Sequence, residues 1–241
     1  MIGAPLLAAR AALKLGAGCV HVGMLAENAP ALDLQQPELM LHSASAALRL
    51  RNVDVYAIGC GLGTSIASQK LLYEVLKRNT ALVVDADALN LLACHADLQE
   101  DLRNRKAATI LTPHPGEAAR LLECKTDDIQ ADRAAAAREL LKRFTCNIVL
   151  KGADSLCITA DGQLFINKTG NPGMSSAGMG DVLTGMIATF IAQGLNARDS
   201  MLLAVHLHGA AGDALAQQQA TIGMTATEVT EWSRWLLNKW L

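Results

Sequence analysis

The chain has 241 residues, 51% of them apolar and 18% charged, with a formal net charge of −2. Disorder requires low hydrophobicity and high net charge. A nucleic-acid surface requires an excess of Lys and Arg, and base-stacking platforms require aromatics. Here 23 acids face 21 bases, with only three Trp, two Tyr and three Phe. What remains is a soluble, compact protein, rich in helix-forming Ala and Leu, with no nucleic-acid partner.

Residues 4–15 read as an amphipathic helix closed by Gly16, a C-cap residue type. Residues 19–24 alternate and form the first strand. Residues 53–58 form a second, running into Gly59-Cys60-Gly61-Leu62-Gly63. Residues 65–78 are helical. Residues 81–84 are a short apolar run ending at Asp85, as a buried parallel strand does. Residues 107–111 repeat that pattern and end at Thr112-Pro113. Helices follow at 115–123 and 129–144, and a buried strand at 147–150 ends at Lys151-Gly152. Residues 155–159 and 163–167 flank Asp161-Gly162, a strong hairpin signal. A Gly-rich loop at 170–180 leads into three helices, near 181–193, 197–217 and 226–239.

Strands alternating with helices give βαβ units and a mainly parallel sheet covered on both faces. With no linker, repeat or low-complexity tract, residues 1–241 read as a single domain. Cysteines stand at 19, 60, 94, 124, 146 and 157, without a C-x-x-C pair or zinc spacing. They read as reduced core thiols of a cytoplasmic protein. Arg10 and Lys14 interrupt the apolar N-terminus. The uncharged run 182–197 is short and contains Gly185, Gln193 and Gly194, so neither a leader nor a membrane span is expected.

Ligands of open parallel sheets bind beyond the carboxyl ends of the strands. Four such ends carry unusual residues: 59–63, 85–90, 112–117 and 151–155. The loop 171–181 opens a helix, where unpaired N–H groups and the helix dipole favour an anion. Glycines there let the backbone approach a phosphate without a Cβ clash. Asp181 then reads either as a carboxylate capping the helix start or as a general base beside a phosphate. Glu117 reads as a cap for the helix near Pro115, Lys151 as a solvated strand-end charge or a ligand contact. His206 and His208 read as structural, and the tryptophans 232, 235 and 240 as packing or subunit contacts rather than adenine stackers.

The loop Gly178-Met179-Gly180-Asp181 resembles the G-x-G-D signature of the ribokinase-like superfamily. The longer string Asn171-Pro172-Gly173-Met174 through Ala177-Gly178-Met179-Gly180-Asp181-Val182-Leu183-Thr184-Gly185 is similar to the ADP/ATP-dependent NAD(P)H-hydrate dehydratase family. Matching motifs occur in order at Gly16-Ala17-Gly18, 84–90, 112–117 and 150–153. The resemblance implies a three-layer αβα sandwich. It implies dehydration of the S-epimer of hydrated NADH or NADPH (NAD(P)HX), with ADP as phosphoryl donor, ATP as a possible substitute, and AMP and phosphate as products.

It further implies that Asp181 is the base and that the Gly178 and Gly180 amides form an anion hole. Lys151, Gly152, Ala153, Asp154 and Ser155, with Gly180, would line the nucleotide site. Ala4, Gly61, His114 and Asp181 would contact the hydrated dinucleotide. Asp85 and Asn90 sit where a carboxylate and an amide could hold a water-bound Mg2+. A homo-oligomer, up to a tetramer, and functional coupling to an NAD(P)HX epimerase are implied as well.

The family normally begins with a strand and a Gly-rich turn before its first helix. This chain opens at Met1-Ile2-Gly3-Ala4, which reads as the tail of that turn. Two other readings stay open: a small-molecule kinase of the same fold acting on a vitamin-like alcohol, and a catalytically inactive nucleotide-binding protein.

Overall fold

The computed structural model describes residues 1–219 and 221–241. In chain order the elements are α1 (Gly3–Lys14), β1 (His21–Met24), β2 (Met40–Ser43), α2 (Ala44–Ala47), β3 (Val55–Ile58), α3 (Ile66–Leu76), β4 (Ala81–Val84), α4 (Ala86–Cys94) and α5 (Ala96–Arg103). There follow β5 (Thr109–Leu111), α6 (Pro115–Leu122), α7 (Thr126–Ala131), α8 (Arg133–Phe144), β6 (Asn147–Leu150), β7 (Leu156–Ile158) and β8 (Leu164–Ile166). A 3-10 turn (Pro172–Met174), α9 (Met179–Ala192), α10 (Ala197–Gln218) and α11 (Ala226–Trp240) close the chain. These elements form two compact units, Met1–Asn52 with Lys168–Leu241, and Val53–Asn167.

The unit Val53–Asn167 holds a six-stranded sheet in the order β3-β4-β5-β6-β7-β8. The first four strands are parallel, and β6, β7 and β8 run antiparallel. The apolar runs in β4, β5 and β6 are continuous because Leu82, Val83, Val84, Ile110, Leu111, Ile148, Val149 and Leu150 are all inaccessible to solvent. In register, Ile58 lies beside Val84, Val84 beside Leu111, and Leu111 beside Ile148. The carboxyl ends of four strands therefore finish along one edge, and the unusual residues follow directly from them.

The other unit packs α1, α9, α10 and α11 together and carries β1 and β2 as a separate parallel pair. Val22, Met24 and Leu39 bury against Ala9 of α1. Helices α1 and α9 meet where Gly185 lies against the Ala8 backbone. The Thr189 hydroxyl donates to Gly185 O at 2.8 Å and Ala12 O at 3.3 Å. A methyl group on Gly185 would stand 2.1 Å from Ala8 O. Gly185→Ala is thus expected to cost about 1–3 kcal/mol through overpacking, read as a lower urea midpoint with an unchanged m-value.

The structure revises several expectations. The helix read at 129–144 is two, because the Asp132 carboxylate accepts from Ala135 N at 2.8 Å and starts a new one. Helix α9 begins at Met179, so Asp181 is its third residue rather than its first. The first strand pairs with β2, which was not anticipated, rather than with the main sheet. Of the cysteines only Cys146 and Cys157 are buried, and burial pushes both thiols up to about 12. Cys60 is half-buried; Cys94, at the end of α4, and Cys19 and Cys124, in connections between elements, are exposed. All six are free.

The Trp240 ring stacks on His206 at 5.7 Å, and Trp232 meets Trp235 edge-on at 5.2 Å. Among the described residues no helix is long and apolar enough to cross a membrane.

Candidate active site

Lys151 is the centre of the charged cluster at the strand ends. Backbone pairing carries β6 past β5, with Lys151 N donating to Pro113 O at 2.8 Å. Its ammonium donates to Asp85 Oδ1 at 2.6 Å and lies 3.9 Å from Glu117 Oε2. The side chains are 17%, 2% and 6% exposed, so Lys151 is not the solvated charge the sequence allowed. Burial pulls the Lys151 pKa down, but Asp85 and Glu117 outweigh it and hold it above the ordinary lysine value. For Glu117 burial wins over Lys151, and its pKa is raised.

Glu117 joins Lys151 to His114. Its Oε2 accepts from His114 N at 2.8 Å, and its Oε1 lies 3.3 Å from His114 Nε2. His114 Nδ1 in turn accepts from Gly116 N at 3.0 Å and Glu117 N at 3.3 Å. This is a capping box for α6, so the cap read for Glu117 is borne out, and the cap serves the cluster as well. An accepting Nδ1 places the neutral ring's proton on Nε2, facing Glu117. Burial, then Lys151 and Arg120, hold the His114 pKa below its ordinary value.

A titration follows from this geometry. A folded pKa below the unfolded one favours the neutral ring. The contribution is present above the unfolded value, about 6.5, and is lost as pH falls from there through the folded value. Wild-type thermal stability should therefore fall more between about pH 7 and pH 5 than that of His114→Asn, which can still cap α6 without titrating. Parallel pH profiles of the two melting temperatures would contradict this.

The segment 151–155 leaves the cluster as a surface loop. Gly152, Ala153 and Asp154 are exposed, and the Ser155 hydroxyl donates to Gly152 O at 2.9 Å. Arg133 of α8 supports it, donating from Nη2 to Leu150 O at 3.0 Å and Lys151 O at 3.3 Å. Neighbouring Gly61 lies in the loop 59–63, whose Gly63 N donates to Asp87 Oδ2 at 2.7 Å. The sequence reading missed Arg133 and Asp87. Asp87 lay within a quoted motif, while nothing local marks Arg133.

In the other unit, Gly178 is the N-cap of α9 with φ 89°, a left-handed conformation suited to glycine. It provides no side-chain cap, and Gly180 and Asp181 in the following turn are half-buried. Ala4, in the first turn of α1, is 7% exposed and packed inward. Asp213 of α10, also missed, accepts from Gly170 N and Asn171 Nδ2 at 2.8 and 3.0 Å.

Asp85 and Asn90, the pair read as able to hold a water-bound Mg2+, each meet a cationic side chain. The Asp85 Oδ1 atom is held by Lys151, and Asn90 Oδ1 accepts from Arg120 Nη1 at 2.8 Å. Each oxygen already serves a cation of the protein.

A family model described as NAD(P)H-hydrate dehydratase matches residues 1–234. The ADP-dependent (S)-NAD(P)H-hydrate dehydratase of Neisseria meningitidis is 40% identical over 243 residues, covering 99% of this chain and 82% of that protein. The bifunctional NAD(P)H-hydrate repair enzyme Nnr of Escherichia coli is 41% identical over 230 residues, which is 94% of this chain and 43% of the relative. This chain therefore spans less than half of that bifunctional protein.

The crystal structure of ADP/ATP-dependent NAD(P)H-hydrate dehydratase from Bacillus subtilis, co-crystallized with ATP/Mg2+, aligns with TM-score 0.84 at 27% identity, over 100% of this chain and 86% of that chain. A ribokinase-like superfamily protein from Enterococcus faecalis aligns with TM-score 0.84 at 29% identity, over 99% of this chain and 83% of that chain. The fold class is ribokinase-like α/β with a mostly parallel sheet, as the motifs implied. The chain belongs to the NAD(P)H-hydrate dehydratase family.

Proposed function

We infer that this chain is an ADP-dependent dehydratase of the S-epimer of hydrated NADH and NADPH, a carbon–oxygen lyase of nicotinamide-nucleotide repair. The observation that carries the reading is the Gly178–Asp181 turn at the α9 N-terminus, in a chain that matches the family from residue 1 to residue 234.

Hydroxide is a poor leaving group and phosphate a good one. In this reading Asp181 takes the proton of the ring hydroxyl as its oxygen attacks the terminal phosphorus of ADP, and AMP leaves. The Gly178 and Gly180 amides meet the charge on the transferring phosphoryl group. The nitrogen lone pair of the reduced ring then expels phosphate as the C–O bond breaks and a ring proton is lost, giving NAD(P)H.

Lys151, Gly152, Ala153, Asp154 and Ser155, with Gly180, are assigned to the nucleotide. The exposed, backbone-rich loop at 151–155 suits a diphosphate and ribose. His114, Gly61 and Ala4 are assigned to the hydrated dinucleotide, with the neutral His114 ring as a hydrogen-bonding contact. Mg2+ in this reading arrives on the nucleotide phosphates, as a hard cation that keeps most of its waters.

The family match runs through both compact units, which supports residues 1–241 as a single functional domain. A cytoplasmic location, a homo-oligomer and coupling to an epimerase complete the proposal. Six cysteines outside any disulfide suit a reducing compartment.

The test is incubation of purified protein with hydrated NADH, ADP and Mg2+. The near-ultraviolet absorbance of reduced nicotinamide should reappear with stoichiometric AMP and phosphate. A phosphorylated alcohol without NADH recovery would replace this reading with that of a small-molecule kinase. Nucleotide binding without any turnover would mark an inactive binding protein.

A further inference from the structure

The loop that leads into α9 rests on one face of α10, and both belong to the unit formed by residues 1–52 and 168–241. The Asp213 carboxylate accepts from two loop donors, Gly170 N on Oδ2 at 2.8 Å and Asn171 Nδ2 on Oδ1 at 3.0 Å. The Asn171 side-chain oxygen accepts from Gly173 N at 3.0 Å and starts the 3-10 turn Pro172–Met174. One residue before the loop, the Thr169 hydroxyl donates to His206 O at 2.9 Å.

Two glycines of α10 bring the helix backbone against the loop. A methyl at Gly209 would stand 2.2 Å from Thr169 Oγ1, and one at Gly212 would stand 2.3 Å from Met174 Sδ. Gly209 and Asp213 are four residues apart, on one helical face.

The cost of this arrangement shows its purpose. Each glycine inside a helix costs about 1 kcal/mol relative to alanine. The loop it seats is half-buried to exposed and adds little to the core. A helix that gives up stability to hold a polar loop marks a position where geometry matters more than packing.

We propose that Asp213 is a positioning residue for phosphoryl transfer. By clamping Gly170 and Asn171 it holds the segment that runs into the Gly178 N-cap, and so keeps the α9 amides and Asp181 in their working geometry. It touches no reacting atom. The proposal rests on the dehydratase reading above. A carboxylate is required because both partners are donors; an amide at this position turns one of its own N–H groups on a donor.

The test is Asp213→Asn in the full chain, followed by the exchanged pair Asp213→Asn with Asn171→Asp. In the single variant kcat should fall about 10- to 100-fold, as misplacement by about 1 Å does, while KM for ADP and the thermal midpoint stay close to wild type. Hydrogen exchange of the amides at 169–175 should accelerate. In the double variant the new amide donates to the new carboxylate, which still accepts from Gly173 N. Most of the lost kcat and the amide protection should return.

Wild-type kcat in Asp213→Asn overturns the proposal. So does a loss that tracks a fall in thermal midpoint and persists in the double variant. A wild-type chain that turns over no hydrated NADH removes the dehydratase reading itself, and this proposal with it.

Discussion

Asp181→Asn is expected to remain folded, to bind AMP and to lose about 10²–10⁴ in turnover, the usual worth of a positioned general base. The expectation separates the two roles a carboxylate can have at this point. As the third residue of α9, Asp181 meets the positive end of the helix dipole, and that contact is worth about 0.3–1 kcal/mol. Asparagine removes the charge and cannot take a proton, yet it fits the same space. Were helix stabilisation the whole role, the urea midpoint would move slightly and turnover would hardly change. With Asp181 as the base, turnover collapses while the midpoint stays. Turnover close to wild type in this variant would take Asp181 out of the mechanism. AMP binding is the control, since in the proposed assignment AMP depends on Gly180 and the loop 151–155.

Lys151→Met should produce the largest loss of stability, about 3–5 kcal/mol, the range found when one member of a buried ion pair is removed. An exposed pair would give about 0–1 kcal/mol. The choice between these ranges follows from burial: the Lys151 and Asp85 side chains are 17% and 2% exposed, with 2.6 Å between Nζ and Oδ1. Methionine fills the space of the lysine stem and takes the ammonium away from the Asp85 carboxylate, beside a Glu117 whose pKa is already raised by burial. Glu117 then takes up a proton more readily, which limits the loss. Adding Asp85→Asn removes that buried charge and should recover part of the stability, but not the nucleotide affinity that the proposed role gives Lys151. A loss below about 1 kcal/mol in chemical denaturation would class the pair with surface salt bridges.

Much of this protein is legible in local sequence. The strands β4, β5 and β6 announce themselves as short apolar runs because both of their faces are buried. Asp161-Gly162 predicts the hairpin of β7 and β8, and Gly16 the end of α1, since a left-handed turn suits glycine. Strand β2 escaped notice because Met40–Ser43 has no pattern of its own and exists by pairing with β1. The break between α7 and α8 escaped because an Asp inside an Ala-rich periodic stretch looks like a surface residue, until its carboxylate is seen capping the next helix. The exposed cysteines differ from the core thiols expected because composition does not say which residues fall in connections or at the end of a helix.

The site divides in the same way. Sequence alone determined the family, the order of its motifs, the glycines of the α9 turn and Glu117 as a cap of α6, which are features written in short stretches of chain. Only the tertiary structure decided which charges meet. Parallel strand ends bring Lys151 to Asp85 across 66 positions, and α10 brings Asp213 to Gly170 across 43. Burial then gives those meetings their strength, because a charge removed from water depends on whichever partner the fold has placed beside it.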